Sequence, residues 1–407
     1  MLCRLALSVM LLSSVVLSGT SGESAPKSQE TVLRGYALDT DWGTKGGDIS
    51  PDNHFVALDA IKAVSVKYGE EIFEEIQLWD LQTGKVVSSR VLHQQVVPDF
   101  IAYWRKHPPT PAFVRYSSDG SKLVVFHEGR LFVFGTTMLD KKLAIDVGEP
   151  EAVFFAEADD RAGRAAVVVA WHGGVQLRVY NLESGEVLRK WDFPDAPGAG
   201  GLALDPAGRR IAVSLEFFPP GHRRLRASER NIRIFDIESG VLTVAINSGY
   251  LASGVAFSPD GTLLTVSANP EVKRFGNDTL KVWNPLTGTL LREFSGGPEG
   301  VHRFVQVSQD GKTVLTSAVV TESVGSWIEK NNVDTHFRFR LWDLPTGKSI
   351  ALSPDLSGSA EVMDPALRLS AKGDLVLVYF SDARRTPPHL YQRAVIPQPA
   401  SVAGDPQ

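Results

Sequence analysis

The chain has 407 residues, of which 43% are hydrophobic and 22% are charged. This composition provides enough apolar residues for a folded core and excludes an intrinsically disordered chain. The formal net charge of −5 lacks the basic excess that general nucleic-acid binders and binders of anionic membranes carry. Length alone would allow two or three domains, but all-β folds of this size often form one.

The first predicted element is an N-terminal targeting segment. Arg4 precedes an apolar stretch, Leu5 to Leu17, and small residues follow from Ser18 to Gly22. A positive residue, a short apolar stretch and small residues are typical of a signal peptide, here residues 1–24, with cleavage near residues 21 to 25. We therefore expect a secreted or periplasmic protein. An uncleaved N-terminal membrane anchor is the alternative, although the stretch is short for a bilayer span.

A repeated phrase then predicts a series of β-hairpins. An alternating run ends in an aromatic residue and is followed by Asp or Asn, two further residues, Thr or Ser, and Gly. Alternation buries every second side chain of a strand. Asp or Asn can cap the turn, and Gly accepts the positive φ that a tight hairpin requires. The phrase occurs at Ile76–Gly84, Leu177–Gly185, Ile232–Gly240, Leu280–Gly288 and Phe339–Gly347.

A second phrase, Ser-Pro-Asp-Gly or a variant, marks another hairpin turn in each unit. Pro and Asp suit the start of such a turn and Gly suits its end. Two turns per unit give four strands per unit, and the turns recur at intervals of 43 to 67 residues, which is typical of propeller blades. The seven turns are Ser50–Asn53, Ser118–Gly120, Asp160–Gly163, Asp205–Gly208, Ser258–Gly261, Ser308–Gly311 and Ala371–Gly373.

The Leu-Trp-Asp and Ser-Pro-Asp-Gly phrases resemble those of WD-repeat β-propellers, over about residues 31 to 397. The resemblance implies an all-β fold, a seven-bladed propeller of four-stranded antiparallel blades, in a degenerate, bacterial-type secreted member. The usual Gly-His dipeptide does not stand at the blade starts, so we do not expect the family's buried Asp-His network. The strand Thr31–Leu38 is expected to complete the last blade and close the ring, which removes open sheet edges. Residues 398–407 are expected to form a disordered tail.

The two rims of the predicted propeller differ. Both repeated turns fall on one rim, the regular rim. The strand two to three connections and the links between blades fall on the other, the elaborated rim, where nearly all length variation occurs. Two of the inserts predicted there are Lys67 to Glu75 in blade 1 and Thr321 to His336 in blade 6. Loops on a rigid scaffold often bind partners, and exposed Trp, Tyr and Arg often carry interface energy. The candidate binding residues are Trp42, Tyr103, Trp104, Arg105, Arg223, Arg224, Arg226, Arg274, Trp327 and Arg384. The alternative is that these loops only pack on one another.

The sequence shows none of the familiar catalytic or metal motifs. It has no Gly-x-Ser-x-Gly elbow and no His-Glu-x-x-His. Its only cysteine, Cys3, lies in the predicted signal peptide, so we expect neither disulfides nor cysteine-based zinc sites. Asp39-Thr-Asp41 resembles only the start of a calcium loop. The basic run His222–Arg226 could grip phosphate or carboxylate, but a solvated loop is the favoured interpretation.

Scattered histidines could converge on one rim, although chance scatter is the favoured interpretation. They are His93, His107, His172, His222, His302 and His389. We therefore expect no metal, no cofactor and no catalytic residue.

These observations favour a non-catalytic scaffold that binds another protein or a peptide through the elaborated rim. We expect a monomer without nucleic acid and without a membrane span in the mature chain. The alternative is a propeller enzyme, a hydrolase such as a lactonase or a quinone-dependent dehydrogenase, with its site at the central channel. A ring of inward-pointing Asp, Glu or His would favour the enzyme, and small or apolar groups would favour the scaffold.

Overall fold

In a computed structural model, the chain forms seven four-stranded antiparallel sheets in a ring, a seven-bladed all-β propeller. Residues Thr31–Ala394 form one compact unit. The structure describes residues 31–38, 40, 42–99, 113–148, 152–159, 163–216, 231–248, 251–268, 279–295, 301–323, 333–353, 356, 366–379 and 388–395. The predicted signal peptide and C-terminal tail lie outside these ranges. Within them, no helix is long and apolar enough to cross a membrane.

The blades are numbered in chain order, and their strands are given from the centre of the ring outward. Blade 1 comprises β2 (Gly43–Ile49), β3 (Phe55–Val66), β4 (Gly69–Asp80) and β5 (Lys85–Val97). Blade 2 comprises β6 (Phe113–Tyr116), β7 (Lys122–His127), β8 (Arg130–Gly135) and β9 (Lys141–Asp146). Blade 3 comprises β10 (Ala152–Asp159), β11 (Arg164–Trp171), β12 (Gly174–Asn181) and β13 (Val187–Phe193). Blade 4 comprises β14 (Gly198–Leu204), β15 (Arg210–Glu216), β16 (Ile232–Asp236) and β17 (Leu242–Ile246).

The remaining blades follow the same order. Blade 5 comprises β18 (Leu251–Phe257), β19 (Leu263–Ala268), β20 (Thr279–Trp283) and β21 (Leu290–Ser295). Blade 6 comprises β22 (Val301–Val307), β23 (Thr313–Ser323), β24 (Val333–Asp343) and β25 (Lys348–Leu352). Blade 7 comprises β26 (Ala366–Leu369), β27 (Leu375–Tyr379), β28 (His389–Val395) and β1 (Thr31–Ala37). The N-terminal strand thus closes the ring by pairing with β28, as the sequence predicts.

The turn of the Ser-Pro-Asp-Gly phrase is held by its serine and aspartate. Ser50 Oγ donates to Asp52 Oδ1 at 2.6 Å and accepts from the backbone N–H of Phe55 at 2.8 Å. The serines at 117 and 308 repeat the bond to aspartate. Asn53 adopts a φ of 65°, the left-handed conformation that glycine supplies in other blades. Asparagine tolerates this region, which explains why blade 1 forms the turn without glycine.

The turn of the phrase Ile76–Gly84 and its copies is capped by the acidic or amide residue that ends the third strand. Asp80 Oδ1 accepts from the backbone N–H of Thr83 at 2.7 Å, and Asp236 does the same for Ser239 at 2.7 Å. The backbone N–H of Gly84 donates to the Asp80 carbonyl at 2.8 Å, with a φ of 64° at the glycine. These bonds account for the fixed spacing of Asp, Thr or Ser, and Gly in the phrase.

An apolar cluster fills each seam between neighbouring blades. Between blades 1 and 2 it comprises Ala57, Ile76, Leu78, Val114, Leu123, Val125, Phe134 and Leu139. The seam between blades 7 and 1 holds a similar cluster, Leu38, Ile49, Val56, Leu58, Trp79, Leu375, Leu377, Tyr379 and Leu390. The other five seams repeat the arrangement. Each blade is therefore buried on both faces, which explains its near-continuous Val, Leu and Ile runs.

Tryptophans on the third strands are satisfied inside their own blades. Trp283 Nε1 donates to Thr265 Oγ1 at 2.9 Å, and Trp342 Nε1 donates to Thr316 Oγ1 at 3.0 Å. Trp79 Nε1 donates to Gln77 Oε1 at 3.1 Å. These buried N–H groups thus find acceptors without a histidine, in keeping with the lack of a Gly-His dipeptide at the blade starts.

The predicted insert of blade 1, Lys67 to Glu75, extends a regular hairpin. Strands β3 and β4 pair without interruption from Phe55–Asp80 to Val66–Gly69, and β5 continues beside them. This three-stranded projection, Ile61–Phe73 with His93–Val97, is called the blade 1 extension. The predicted insert of blade 6, Thr321 to His336, is likewise partly strand, in β23 and β24. Two inserts on the elaborated rim therefore lengthen sheets as well as loops.

Ring closure can be tested by truncation. Deleting residues 1–37 removes β1 and leaves the edge of β28 unpaired, and an exposed edge promotes association. We expect this variant to unfold at a lower temperature and to aggregate with rising concentration, measured by calorimetry and by size exclusion with light scattering. Deletion of residues 1–30 alone is the control and should leave both properties unchanged. A monomeric, equally stable 1–37 deletion would contradict closure by β1.

Candidate functional site: an ionic cluster between blades 1 and 2

The predicted binding residues lie mostly outside the described part of the chain. Trp42 is the exception: it precedes β2 on the elaborated-rim side and is half-buried. Lys62 Nζ of β3 lies 5.6 Å from the centre of its ring, a cation–π distance. The other predicted residues, Tyr103, Trp104, Arg105, Arg223, Arg224, Arg226, Arg274, Trp327 and Arg384, fall in undescribed ranges, and their role stays a prediction.

A buried group of charged side chains lies in the seam between blades 1 and 2. Lys45 Nζ lies 2.9 Å from Glu74 Oε1, and Glu74 Oε2 lies 2.9 Å from His127 Nε2. The other ring nitrogen, His127 Nδ1, lies 3.3 Å from Asp59 Oδ2. All four side chains are at most 6% exposed. These four residues are called the ionic cluster.

Strand register places the carboxylates of the ionic cluster on one face of blade 1. Ile61 pairs with Glu74 and Asp59 pairs with Ile76, so both acids share the face that carries Ile76 toward blade 2. Lys45 joins them through a β-bulge, because the pairing of β2 with β3 shifts between Thr44 and Gly46. A bulge re-aims the extra side chain, and here it directs the ammonium group of Lys45 to Glu74.

Blade 2 supplies the histidine from the end of β7. His127 pairs with Arg130 across a two-residue turn, Glu128-Gly129, on the elaborated rim. Glu128 has a φ of 44°, uncommon for a residue other than glycine. Its carboxylate Oε2 lies 3.9 Å from His127 Nε2 and also 3.9 Å from His93 Nδ1 of β5. The turn thus adds a second carboxylate beside the buried ring, at the edge of the ionic cluster.

Apolar side chains cover the ionic cluster from both directions along the seam. Ala57, Ile76 and Leu78 of the blade 1–2 cluster lie toward the regular rim. Ile61, Ile72 and Val97 form a separate buried cluster within the blade 1 extension. The charges therefore form a layer between two apolar layers. Water cannot solvate such a layer freely, so each charge depends on its partners in the cluster.

The pKa values within the ionic cluster favour its charged forms. Burial alone lowers the pKa of His127, but its close contacts with the carboxylates of Asp59 and Glu74 outweigh burial and raise the pKa from 6.5 to about 9. Burial alone raises the pKa of Glu74, but His127 and Lys45 together lower it from 4.5 to about 2. Burial also opposes the charge of Lys45, yet Asp59 and Glu74 raise its pKa. An imidazolium is therefore the stable form of His127 at neutral pH in the metal-free protein.

Donors of the kind that bind divalent metals also meet here. Glu74, His127 and Glu128 each offer one ligand atom, and these atoms lie within 4.8 Å of one another. This is the one such group among the described residues. Nothing in the sequence placed His127 among the candidates, because its partners are 53 and 68 residues away in the chain or directly beside it. The sequence pattern includes His93 only among several scattered histidines.

A second charged arrangement lies on the innermost strands. In blades 1 to 7 the innermost strand leads into the Ser-Pro-Asp-Gly turn at Ser50, Ser117, Asp159, Asp205, Ser258, Ser308 and Ser370. The residue two positions earlier is Asp48, Arg115, Glu157, Ala203, Ala256, Gln306 or Arg368. Arg115 Nη2 lies 3.4 Å from Glu157 Oε2. Burial raises the pKa of Asp48 although Arg115 and Arg368 oppose this. Four neighbouring blades therefore carry alternating charges, and three carry small or neutral groups.

Polar side chains at this inner position also bridge blades. Asp48 Oδ2 accepts from the backbone N–H of Tyr116 in blade 2 at 2.9 Å. Gln306 Oε1 accepts from the backbone N–H of Leu369 in blade 7 at 2.9 Å. The acids of the inner position are thus engaged by arginine or by backbone, as structural bridges are.

Comparisons with known proteins identify the fold. No protein-family model matches the chain, and no curated protein matches it. Among solved structures, a chain of the mitotic checkpoint complex is similar with a TM-score of 0.54 at 14% identity, over 94% of this chain and 100% of that chain. Raptor from Chaetomium thermophilum is similar with a TM-score of 0.58 at 12% identity, over 91% of this chain and 29% of that chain. Both support a WD-repeat-like β-propeller fold.

The raised pKa of His127 makes stability depend on pH. Because the folded pKa of about 9 exceeds the ordinary 6.5, this stabilisation is complete below about pH 6.5 and is lost as the pH rises to about 9. We expect the free energy of unfolding to fall by on the order of 3 kcal/mol across this window, measured by urea titration in EDTA.

Two histidine variants distinguish the contribution of His127 to this pH dependence from the contributions of other titrating groups. His127→Gln should lack this fall and be less stable at pH 6, because Asp59 and Glu74 lose a buried partner. His172→Gln changes a histidine in the equivalent turn of blade 3 and should keep the wild-type pH dependence. An unaltered pH dependence in His127→Gln would contradict the assignment.

Proposed function

We propose that the chain is a non-catalytic scaffold that binds another protein or a peptide through its elaborated rim. The observation that carries the proposal is the difference between the two rims. On the regular rim, turns of the same two kinds recur from blade to blade, with the same capping bonds. On the elaborated rim, the strand two to three connection is two residues long in blade 2, whereas it spans residues 217–231 in blade 4. Variation confined to one face of a rigid ring is typical of a binding face.

The blade 1 extension supports this proposal with a built, exposed feature. Tyr68 lies at the tip of the β3–β4 hairpin and is 79% exposed, with Lys67 Nζ 5.1 Å from its ring centre. Val64 and Val96 are exposed on one face of the same projection. The pairing of three strands holds these groups in place, so little conformational entropy is lost when they meet a partner. A tyrosine with flanking valines suits a protein surface.

The fold likeness adds support of a general kind. One similar chain belongs to the mitotic checkpoint complex, by its name an assembly. We infer by analogy that a propeller of this shape serves in assembly, and export by the predicted signal peptide would place that role outside the cytoplasm.

A channel enzyme is the second proposal, because Asp48 and Glu157 bring carboxylates to the innermost strands. Their engagement with Arg115 and with backbone favours a structural role for them over acid–base catalysis. Hydrolysis of lactone or ester substrates by the full chain, abolished in Asp48→Asn and Glu157→Gln, would instead favour the enzyme.

The scaffold proposal is tested by capture from the cells that make the protein. We expect the wild-type chain to retain a specific partner. The amount of partner captured should fall at least tenfold in Tyr68→Ser, and likewise in the double variant Trp104→Ser, Trp327→Ser, because these changes remove aromatic anchors. Quantitative mass spectrometry of the eluates measures the loss.

The control lies on the opposite rim. Leu286 is 71% exposed in a turn of the regular rim, and Leu286→Ser should retain the partner in full. Equal retention by all the variants would refute binding through the elaborated rim, whereas loss in Leu286→Ser alone would place binding on the regular rim.

A further inference from the structure

Three ligand-type atoms converge in the blade 1–2 seam, and two of them lack an aligned hydrogen bond. His127 Nε2 lies 2.9 Å from Glu74 Oε2 and 3.9 Å from Glu128 Oε2. Although these distances are short, His127 Nε2 and Glu74 Oε2 have no aligned hydrogen-bond partner among the described residues. Both side chains are more than nine-tenths buried. A buried nitrogen and a buried carboxylate oxygen that face each other need a positive charge between or beside them.

The second nitrogen of His127 is already committed. Its Nδ1 lies 3.3 Å from Asp59 Oδ2, and the Asp59 side chain is fully buried. A carboxylate that accepts from one ring nitrogen fixes the tautomer and directs the lone pair of the other nitrogen outward. Metal-binding histidines are held in this way by a second carboxylate. Asp59 is therefore a positioning residue, and it aims Nε2 of His127 at the two glutamates.

We propose that Glu74, His127 and Glu128 bind a divalent transition metal, with zinc as the best match. Nitrogen and carboxylate ligands suit zinc, whereas calcium takes oxygen ligands almost alone. Ligand atoms about 2.0–2.2 Å from a tetrahedral zinc ion lie about 3.3–3.6 Å apart. The separations of 2.9 and 3.9 Å bracket this spacing.

The charges of the seam also suit a divalent ion. Lys45 pairs with Oε1 of Glu74 and leaves Oε2 to the metal. With a neutral His127, the carboxylates of Asp59, Glu74 and Glu128 balance Lys45 and a divalent ion. A neutral layer is the arrangement that costs least between two apolar clusters.

His93 lies beside Glu128 at the edge of the site. His93 Nδ1 lies 3.9 Å from Glu128 Oε2, and His93 Nε2 is buried without a hydrogen-bond partner among the described residues. Glu74 belongs to β4 and His127 to β7, so a metal held by Glu74, His127 and Glu128 would join blade 1 to blade 2 at the base of the blade 1 extension. The ion would thus stiffen the base of the projection that carries Tyr68.

The test measures zinc binding by the full chain without an affinity tag, because a histidine tag would itself bind the metal. The protein is stripped with EDTA, exchanged into metal-free buffer and titrated with ZnCl2 by calorimetry, and the bound metal is counted by elemental analysis. We expect one equivalent of zinc and a rise of several degrees in the unfolding temperature. CaCl2 should produce neither effect.

Glu128→Gln is the decisive variant, because Glu128 lies in an exposed turn and its replacement should leave the fold intact. We expect zinc affinity to fall at least tenfold in Glu128→Gln and in His127→Gln. His172→Gln, in the equivalent turn of blade 3, should bind zinc as the wild type does. Asp59→Asn should weaken zinc binding while the protein stays folded, as circular dichroism reports.

The remaining outcomes overturn the proposal. No zinc binding by the wild type would show that the positive charge in the seam is a proton on His127 alone. Zinc binding that is unaltered in Glu128→Gln would place the metal elsewhere on the chain. A preference for calcium over zinc would refute the assigned class of metal.

Discussion

A blade of this propeller is a thin sheet with two apolar faces, and neither face can be left in water. Burial of both faces requires a neighbour on each side, so the chain must return to its start. The clusters in the seven seams and the pairing of β1 with β28 are two aspects of this single requirement. Once the ring is closed, the positions of all turns and rims follow from strand direction.

Charge inside the ring is concentrated around blade 1. One flank carries the ionic cluster with Lys45 and His127, and the inner position alternates in sign from Arg368 to Glu157. Blades 4 and 5 have alanine at that inner position. A buried ion pair adds little stability compared with an apolar pair of equal volume. The apolar clusters in the seams therefore contribute most of the stabilising free energy, and the buried charges contribute little to it.

The fold could be predicted from the sequence because it repeats. The Asp80–Gly84 turn and its copies depend on bonds within a few residues, and such local chemistry is visible in the sequence. The ionic cluster was missed because it joins four strands of two blades, and Lys45 enters only through a bulge that no pattern announces. The insert near Lys67 was located correctly, but its strand structure depends on pairing with β5. A binding role for Trp42 remains a prediction, because it depends on a partner molecule that this chain's own sequence does not specify.

Closure of the ring by β1 also constrains the order in which the chain can fold during synthesis. About 350 residues separate β1 from β28. At a synthesis rate of about 5–20 residues per second, the first strand waits about 20 to 70 s for its partner to emerge. During that interval six blades can form in order from the N-terminal side, but the seventh cannot. The nascent chain must therefore keep β1 soluble and unpaired until translation is nearly complete, and the last event of folding joins its two ends.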